Sequence, residues 1–232
     1  MKYVGRELDL FSEAKNWTAY FSARLAPLIG GCVLEVGAGI GRNICLLHTA
    51  IVEKWVSLEP DAELAARITE RIQKGELPST CRVVVGNLSD IPADSKFDTI
   101  LYIDVLEHIE DDAAEVVRAS SHLERHGHLI ILAPAYQFLF SPFDSAVGHY
   151  RRYDASSLRS IGPMGCAIEQ LYMLDSVGFL ASLANRVVLR KSIPTASQVA
   201  FWDGVLVPAS RFIDSVTRFK FGKTIVAVWS RS

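Results

Sequence analysis

A glycine-rich segment, VLEVGAGIGRN at residues 33–43, limits the choice of fold more than any other part of the chain. It joins a short apolar run to a helical pattern. Glycines at alternate positions let the backbone turn sharply out of a strand and approach a ligand without Cβ clashes. The following helix offers that ligand unpaired N–H groups and the positive end of its dipole. An ordinary strand-to-helix turn is the alternative, because a glycine loop alone is weak evidence.

Strand and helix patterns alternate along the first half of the chain. Apolar strands are predicted at residues 32–36, 54–58, 82–85, 97–103 and 128–133. Helices are predicted at residues 42–50, 61–74 and 112–126, with Asp61 as the N-cap of the second. This alternation predicts an α/β fold with a parallel sheet covered by helices on both faces. The near-continuous apolar strands agree with that, because a doubly covered strand has no solvated face.

The glycine spacing distinguishes two classes of adenosine-containing ligand. A nicotinamide site typically has G-x-G-x-x-G, which brings the helix N-terminus to a pyrophosphate. Here Gly37, Gly39 and Gly41 place the third glycine one residue early, and Glu35 precedes the loop. A carboxylate in that place repels a pyrophosphate but suits the cationic amino-acid end of S-adenosylmethionine.

Polar residues follow the next strands at the edge where such ligands bind. Glu59 closes the second strand about twenty residues after the loop, where a carboxylate accepts hydrogen bonds from ribose hydroxyls. A lone glutamate at a strand end is usually only solvated, but this spacing favours the ribose role. Pro60 is placed to pack on the adenine, and Asn87 to bond its amino group. The fourth strand ends at Asp104, at the same carboxyl edge of the sheet.

With these stretches the chain resembles the class I S-adenosylmethionine-dependent methyltransferases. The matching segments are LEVGAGIGRN, SLEP, GNL and FDTILYIDVLEHIEDD, followed by HLERHGHLIILAPA, over roughly residues 17–134. The resemblance implies a Rossmann-like, seven-stranded, mostly parallel sheet whose last strand is antiparallel, with helices on both faces. We also predict a helical insertion before that last strand.

The resemblance implies S-adenosylmethionine as cofactor and S-adenosylhomocysteine as product. Many relatives have aspartate where this chain has Asn87, and the amide oxygen can still accept a hydrogen bond from the adenine amino group. The expected cofactor contacts are Glu35, Gly37, Ala38, Gly39, Gly41, Asn43, Glu59, Pro60, Asn87, Leu88, Ile103, Asp104 and Val105.

The second half of the chain resembles a narrower bacterial subgroup through PAYQFLFSPFDSAVGHYRRYD and FWDGVLVPASRFID. Members of that subgroup look like modifiers of sugars, lipid-linked intermediates or secondary metabolites. We expect one domain over residues 1–232. It comprises an N-terminal helical segment (1–29), a cofactor-binding core (30–134), and a region with the substrate loop, a helical cap and the last strands (135–232).

The loop after the fifth strand carries the candidate catalytic residues. His149 is the natural general base because its unperturbed pKa lies near neutrality, and a structural role has equal weight. His108 is a second catalytic candidate, with a bond to a neighbouring carboxylate as the alternative. The expected substrate-binding residues are Asp144, Arg151, Arg152 and Tyr153.

Each of these loop and histidine interpretations has a structural alternative. Arg151 and Arg152 can instead pair with Asp144 or Asp154 and pin the loop. His122 and His126 lie at the predicted end of the helix over 112–126, where cations are favoured, so we predict no metal site.

Composition and charge restrict the partners. With 24 basic and 26 acidic residues, the chain lacks the basic excess that nucleic-acid binding needs, so the expected partner is a small-molecule substrate. The four cysteines form no C-x-x-C pair and are interpreted as buried thiols. The first seventeen residues carry charges and no apolar run typical of a signal peptide, so we expect a cytoplasmic location. For residues 177–221, a lid touching a membrane is the alternative to the helical cap that we favour.

Together these patterns predict a methyltransferase that acts on an oxygen or nitrogen of a small or medium-sized substrate. Two alternatives share the cofactor or the fold: a protein that binds S-adenosylmethionine but catalyses a non-methylating reaction such as a cyclisation, and a non-catalytic binding module. A nicotinamide-dependent oxidoreductase is disfavoured by the glycine spacing and by the lack of a Tyr-x-x-x-Lys pair.

Overall fold

The computed structural model describes residue 11, residues 13–188 and residues 195–232, with only the backbone for residues 185–188. The rest of the predicted N-terminal segment before residue 13, and residues 189–194 of the predicted insertion, lie outside the described residues. The strands are β1 (Gly31–Val36), β2 (Val52–Glu59), β3 (Cys81–Val85), β4 (Phe97–Ile103), β5 (Leu123–Pro134), β6 (Cys166–Leu174) and β7 (Thr224–Arg231). The α-helices are α1 (Lys15–Leu25), α2 (Arg42–Leu47), α3 (Ala62–Gln73), α4 (Asp112–Ser121), α5 (Pro142–Ala146), α6 (Ala155–Ser160), α7 (Ser176–Val188), α8 (Ala196–Phe201) and α9 (Val207–Val216).

The seven strands form one sheet in the order β3-β2-β1-β4-β5-β7-β6. Strand β7 runs antiparallel to its neighbours β5 and β6. The other five strands, β3-β2-β1-β4-β5 in sheet order, pair in parallel. This confirms the predicted Rossmann-like sheet and its antiparallel last strand. Alternate residues of the central strands enter two separate cores: Leu101 and Ile130 face one, and Ile100 and Ile131 face the other, all at 0% exposure. Burial on both faces explains why these strands are apolar throughout.

The chain changes direction across the sheet between β1 and β4. From β1 it steps outwards to β2 and β3, and from β4 it steps the opposite way to β5. Such a reversal leaves a crevice beyond the carboxyl ends of the two central strands, where α/β proteins bind their ligands. The predicted cofactor residues lie at or just after the ends of β1, β2, β3 and β4, so the fold brings them to this single edge.

Two predicted helices are too long. The helix expected over residues 42–50 ends at Leu47, and the larger error concerns the third predicted helix. The helix expected over residues 112–126 ends at Ser121, and β5 already begins at Leu123, which pairs with Phe97. His126 adopts a positive φ of 64° within the strand, beside a register shift in the pairing with β4. His126 is therefore not at a helix end, and that explanation for it was wrong. His122 does close the helix, with its Nδ1 3.0 Å from the carbonyl oxygen of Ser95.

The insertion before β7 is helical, as predicted, and packs on α1. Buried carboxylates join these segments. Asp203 accepts the backbone N–H of Trp17 at 2.8 Å, and Asp214 accepts the hydroxyl of Tyr20 at 2.7 Å and the backbone N–H of Asp175 at 2.8 Å. These contacts agree with a cap over the sheet. Among the described helices, none has the length and apolar character that crossing a membrane requires.

Candidate active site

The glycine loop turns out of β1 with three left-handed residues. Gly37, Gly39 and Gly41 have φ values of 69°, 57° and 73°, a region that favours glycine. The Gly37 N–H donates to the carbonyl of Leu58 at 2.8 Å. A Cβ at Gly37 would lie 2.6 Å from a methyl group of Val105, so only glycine lets the ends of β1 and β4 approach this closely.

Glu59 clamps this loop from the end of β2. Its Oε2 accepts the Gly39 N–H at 2.7 Å, and its Oε1 accepts the Asp61 N–H at 2.9 Å. Burial raises the pKa of the Glu59 carboxyl, while these two backbone bonds oppose the rise. Each carboxylate oxygen has a second lone pair, which can accept a hydroxyl hydrogen bond.

Glu35 lies beneath the loop, fully enclosed by protein. Its Oε1 accepts from the Asn43 amide at 2.8 Å, and its Oε2 from the Trp55 indole N–H at 3.1 Å. Burial raises the pKa of this carboxyl to about 7, although both hydrogen bonds favour its charged form. The predicted residues Glu35 and Asn43 are therefore in contact with each other, and they tie β1 to the first turn of α2.

The residues predicted for the adenine lie at the end of β3. Asn87 is exposed, and its Oδ1 accepts from the backbone N–H and the hydroxyl of Ser89 at 2.9 and 2.6 Å. Leu88 is completely buried below it, and Pro60 is exposed after β2. An exposed amide suits the polar edge of a purine ring, and the exposed Pro60 offers apolar surface to its face.

Asp104 follows β4 with a φ of 53° and an exposed side chain. Although solvent reaches it, protein surrounds the carboxyl on most sides, which is the environment of a residue in a cleft. This desolvation raises the pKa of Asp104, against the opposing effects of His149 and Lys223. The Lys223 ammonium lies 4.9 Å from the centre of the Trp202 ring, and burial lowers the pKa of that lysine.

His149 and His108, the two predicted catalytic residues, are in direct contact. Their ring centres are 4.5 Å apart with an interplanar angle of 84°. His149 Nδ1 lies 3.0 Å from Asp144 Oδ1, and its Nε2 lies 3.8 Å from Glu107 Oε1. Burial lowers the pKa of His108 to about 4. The loop after β5 and the turn after β4 therefore meet at this pair of imidazoles.

Glu107 belongs to the same group of side chains, and sequence reasoning missed it. It is 0% exposed, and neither carboxylate oxygen has a hydrogen-bond partner within the described part of the chain. Burial, followed by the charge of Asp104, raises its pKa well above the usual range. Its position between Asp104 and His108 was the available signal, because all three follow β4 within five residues.

The residues predicted to bind substrate pin the loop instead of projecting from it. Arg152 donates from Nε and Nη2 to the two carboxylate oxygens of Asp144 at 2.8 and 3.0 Å. Arg151 pairs with Asp112 at 2.7 Å, and the Tyr153 hydroxyl donates to the same carboxylate at 2.7 Å. These contacts correspond to the structural alternative, with Asp112 as an unforeseen partner. Substrate roles for the four residues stay predictions.

An aromatic wall lies close to these groups, and sequence reasoning did not assign it to the site. Phe11 contacts Phe143 and Trp202, with ring centres 6.3 and 6.0 Å apart, and Trp17 lies 5.7 Å from Trp202. Phe143 precedes Asp144, and Trp202 carries Lys223 on its face. The wall is linked to Asp104 through Lys223, whose charge acts on that carboxyl.

Comparison with known proteins agrees with this geometry. Residues 34–131 match a family model described as a methyltransferase domain. No curated protein gives a significant match. One similar solved structure is a geranyl diphosphate C-methyltransferase from Streptomyces coelicolor A3(2), in complex with Mg²⁺, geranyl diphosphate and S-adenosyl-L-homocysteine. It has 13% identity and a TM-score of 0.66, covering 94% of this chain and 78% of that one.

Two further solved structures show the range of proteins with this fold. A putative sarcosine dimethylglycine methyltransferase from Galdieria sulphuraria has 15% identity and a TM-score of 0.62, covering 94% of this chain and 84% of that one. The [4+2]-cyclase SpnF has 14% identity and a TM-score of 0.63, covering 98% and 94%. At these identities the structures establish the fold. The family model adds that residues 34–131, less than half of the chain, resemble a methyltransferase domain.

Proposed function

We propose that this protein binds S-adenosylmethionine and transfers its methyl group to an oxygen or nitrogen of a small or medium-sized substrate. The observation that carries the proposal is the convergence of the glycine loop, Glu59, Asn87 and Asp104 at the ends of four adjacent strands. The class of acceptor that we favour is a sugar, a lipid-linked intermediate or a secondary metabolite.

The residues at this edge fit the cofactor. The positive φ values from Gly37 to Gly41 keep Cβ atoms out of the crevice, which leaves room for a ligand against the backbone. Glu59 can accept ribose hydroxyls with its remaining lone pairs, and Asn87 presents an amide at the adenine end. Asp104 presents an exposed carboxylate just after the end of the central strand β4. When bound, the cofactor supplies an electrophilic methyl group on a sulfonium.

The loop from Asp144 to Tyr153 positions the acceptor. Methyl transfer is an in-line displacement, so holding the acceptor at the correct distance and angle supplies much of the rate. The bidentate pair of Arg152 with Asp144 and the bonds to Asp112 make the loop rigid. The Asp144 contact also orients His149 with Nε2 towards the interior of the site. In the general-base hypothesis, His149 Nε2 removes the proton of the acceptor.

A non-methylating reaction is the second candidate, and a specific observation favours it. The cyclase SpnF shares the fold over 98% of this chain, so fold and cofactor binding alone do not distinguish the two functions. Release of S-adenosylhomocysteine distinguishes them, because a cyclisation consumes no methyl group.

The test is turnover with a panel of acceptors. Purified protein is incubated with S-adenosylmethionine and sugars, lipid-linked intermediates or phenolic and amine metabolites. S-adenosylhomocysteine and methylated product are then measured together by mass spectrometry. We expect equal amounts of both with at least one acceptor. A product that forms without S-adenosylhomocysteine would support the cyclase alternative.

A pair of glycine variants provides the control. Gly37→Ala places a Cβ against Val105 and should abolish turnover and cofactor binding. Gly75→Ala carries the same kind of backbone strain, with a φ of 73°, but no atom of the described residues lies within 4 Å of its added Cβ. It should retain cofactor binding. Equal binding by both variants would contradict the assignment of the loop to the cofactor.

A further inference from the structure

The cluster of Glu107, His108 and His149 has a composition that methyl transfer by itself does not require. One donor atom from each of the three side chains lies within 4.8 Å of the others. The residues come from two segments about forty positions apart in the chain. The Tyr150 N–H donates to the Glu107 carbonyl at 2.8 Å, which joins the two segments at the cluster.

The Glu107 carboxylate carries the inference. It is fully buried, and its two oxygens are without hydrogen-bond partners among the residues that the structure describes. Within the described part of the chain its ion-pair contact is with His149 Nε2 at 3.8 Å, which is too long for a hydrogen bond. A fully buried carboxyl group is costly to charge unless it is paired, hydrogen-bonded or bound to a metal, and without such a partner it keeps its proton. A divalent cation would supply the partner that the charged form of Glu107 lacks among the described residues.

Both imidazoles are held from their outer sides. His149 Nδ1 is bonded to Asp144 at 3.0 Å, and that carboxylate is itself fixed by Arg152 and Ser141. His108 is hydrogen-bonded to the backbone of Gly148. Histidines that bind metals typically donate their outer ring N–H to a carboxylate or carbonyl, which directs the other nitrogen's lone pair to the ion. The bond to Asp144 leaves Nε2 as the inward nitrogen of His149.

We propose that Glu107, His108 and His149 bind one divalent transition-metal ion. Two imidazoles and one carboxylate form a donor set suited to zinc, cobalt, manganese or iron, whereas Mg²⁺ and Ca²⁺ prefer oxygen ligands. Donor atoms bound to one ion at about 2.1 Å lie at most about 4.2 Å apart. The observed spread therefore closes with side-chain movements of about 1 Å or less.

Three protein ligands leave coordination positions open for an oxygen of water or of a substrate. An oxygen acceptor bound there would lose its proton more readily, because a divalent ion lowers the pKa of a bound hydroxyl. In the ion-bound protein His149 Nε2 would bind the ion and would not be free to act as a general base. The ion would then activate the acceptor instead. Binding of the ion does not depend on the proposed methyl transfer.

Cobalt is the probe for the test, since its visible absorption reports on nitrogen and oxygen ligands. Full-length protein is freed of metal with a chelator and titrated with Co²⁺. We expect one Co²⁺ per chain, with an affinity reduced at least tenfold in Glu107→Gln and in His149→Ala. Asp144→Asn should reduce it by about 10–100-fold through loss of the outer bond. The matched control is His128→Ala. The imidazole of His128, on β5, lies 3.3 Å from the Glu169 carboxylate, and its removal should leave Co²⁺ binding unchanged.

Thermal unfolding supplies a readout that is independent of activity. Co²⁺ or Zn²⁺ should raise the melting temperature of the wild type and of His128→Ala but not of Glu107→Gln, because only an ion bound to the native state stabilises it. Glu107→Gln is isosteric and places no charge at this buried position, so it should fold, as circular dichroism can check.

Three results would overturn the proposal: no Co²⁺ binding by the wild type at millimolar concentration, equal binding by Glu107→Gln, or stabilisation by Mg²⁺ alone. The affinity for S-adenosylhomocysteine, measured in metal-free buffer, distinguishes failure of the metal site from failure of the proposed function. Intact cofactor binding without Co²⁺ binding would contradict the metal site only. Co²⁺ binding without cofactor binding would contradict the proposed function only.

Discussion

Replacing Glu35 by glutamine should change how the stability of the protein depends on pH. The carboxyl is completely enclosed, and burial raises its pKa from 4.5 to about 7. The folded state therefore holds this proton at pH values where the unfolded chain has lost it. Stability from this group is fully present below about pH 4.5 and is lost as the pH rises through about 7.

The size of the effect follows from the two pKa values. They are about 2.5 pKa units apart, and each unit corresponds to about 1.4 kcal/mol, so the wild type loses about 3 kcal/mol between pH 4.5 and pH 8. Glu35→Gln removes this loss. Its amide can accept from only one of Asn43 and Trp55, which costs about 1 kcal/mol at every pH. The variant should therefore be less stable than the wild type near pH 5 and more stable at pH 8.

Urea unfolding at several pH values between 5 and 8.5 measures this difference directly. Glu53→Gln is the matched control, because it neutralises an exposed glutamate on the adjacent strand β2. Its free energy of unfolding should differ from that of the wild type by a nearly constant amount. A difference between wild type and Glu35→Gln that does not change with pH would refute the reasoning, since it would mean that Glu35 titrates normally.

Three further predictions concern the cofactor and the loop. S-adenosylhomocysteine should raise the melting temperature, and NAD and NADP should not; a shift with a dinucleotide alone would contradict the cofactor assignment. Glu59→Ala should weaken S-adenosylhomocysteine binding by about 1–3 kcal/mol in calorimetry, whereas Glu70→Gln, on the exposed face of α3, should leave it unchanged; equal affinities would remove Glu59 from the site. Arg152→Ala should lower the free energy of unfolding by about 3–5 kcal/mol, because Asp144 becomes a buried charge with its strongest partner removed; a loss below about 1 kcal/mol in urea unfolding would show that the pair contributes little.

Periodicity and local chemistry were sufficient for the parallel part of the sheet, whereas the antiparallel last strand was implied by the family resemblance. The central strands are apolar because both of their faces are buried, and that property is visible in the sequence as continuous runs. Asp61 caps α3 as predicted, with its Oδ1 accepting from the N–H groups of Glu63 and Leu64 at 2.8 and 3.2 Å. Both features depend on neighbours in the sequence, which explains why they could be predicted without the fold.

The end of α4 could not be located by the same reasoning. Leu123 fits the inner face of a continued helix as well as the start of a buried strand, so the helical pattern runs past Ser121. The strand is selected by the pairing of Leu123 with Phe97, a tertiary contact. A period of 3.6 residues cannot be told from a period of two over such a short segment.

The loop residues show the corresponding limit for the site. Arg151, Arg152 and Tyr153 have the side chains that bind anions and hydroxyls, so residue type suggests a substrate role. Whether a side chain faces the ligand or the protein depends on partners far away in the chain. Asp112, which binds Arg151 and Tyr153, lies about forty residues earlier, and no local pattern indicates it.

Glu107 differs from the other buried polar groups that lack hydrogen bonds within the described residues, because it is an acid and they are hydroxyls. Within the described residues those others are the hydroxyls of Ser22, Thr49, Ser57, Tyr172 and Ser176. A hydroxyl can rotate or bind a single water, and leaving it unpaired costs little compared with burying an unpaired carboxylate. Proteins that are locally consistent elsewhere break such rules mainly at functional sites. The exception here is Glu107, which lies beside the imidazoles of His108 and His149, four residues after the end of β4. An acidic side chain buried in that position without a hydrogen-bond partner among the described residues is the strongest physical reason to expect a cation that would stabilise its charged form.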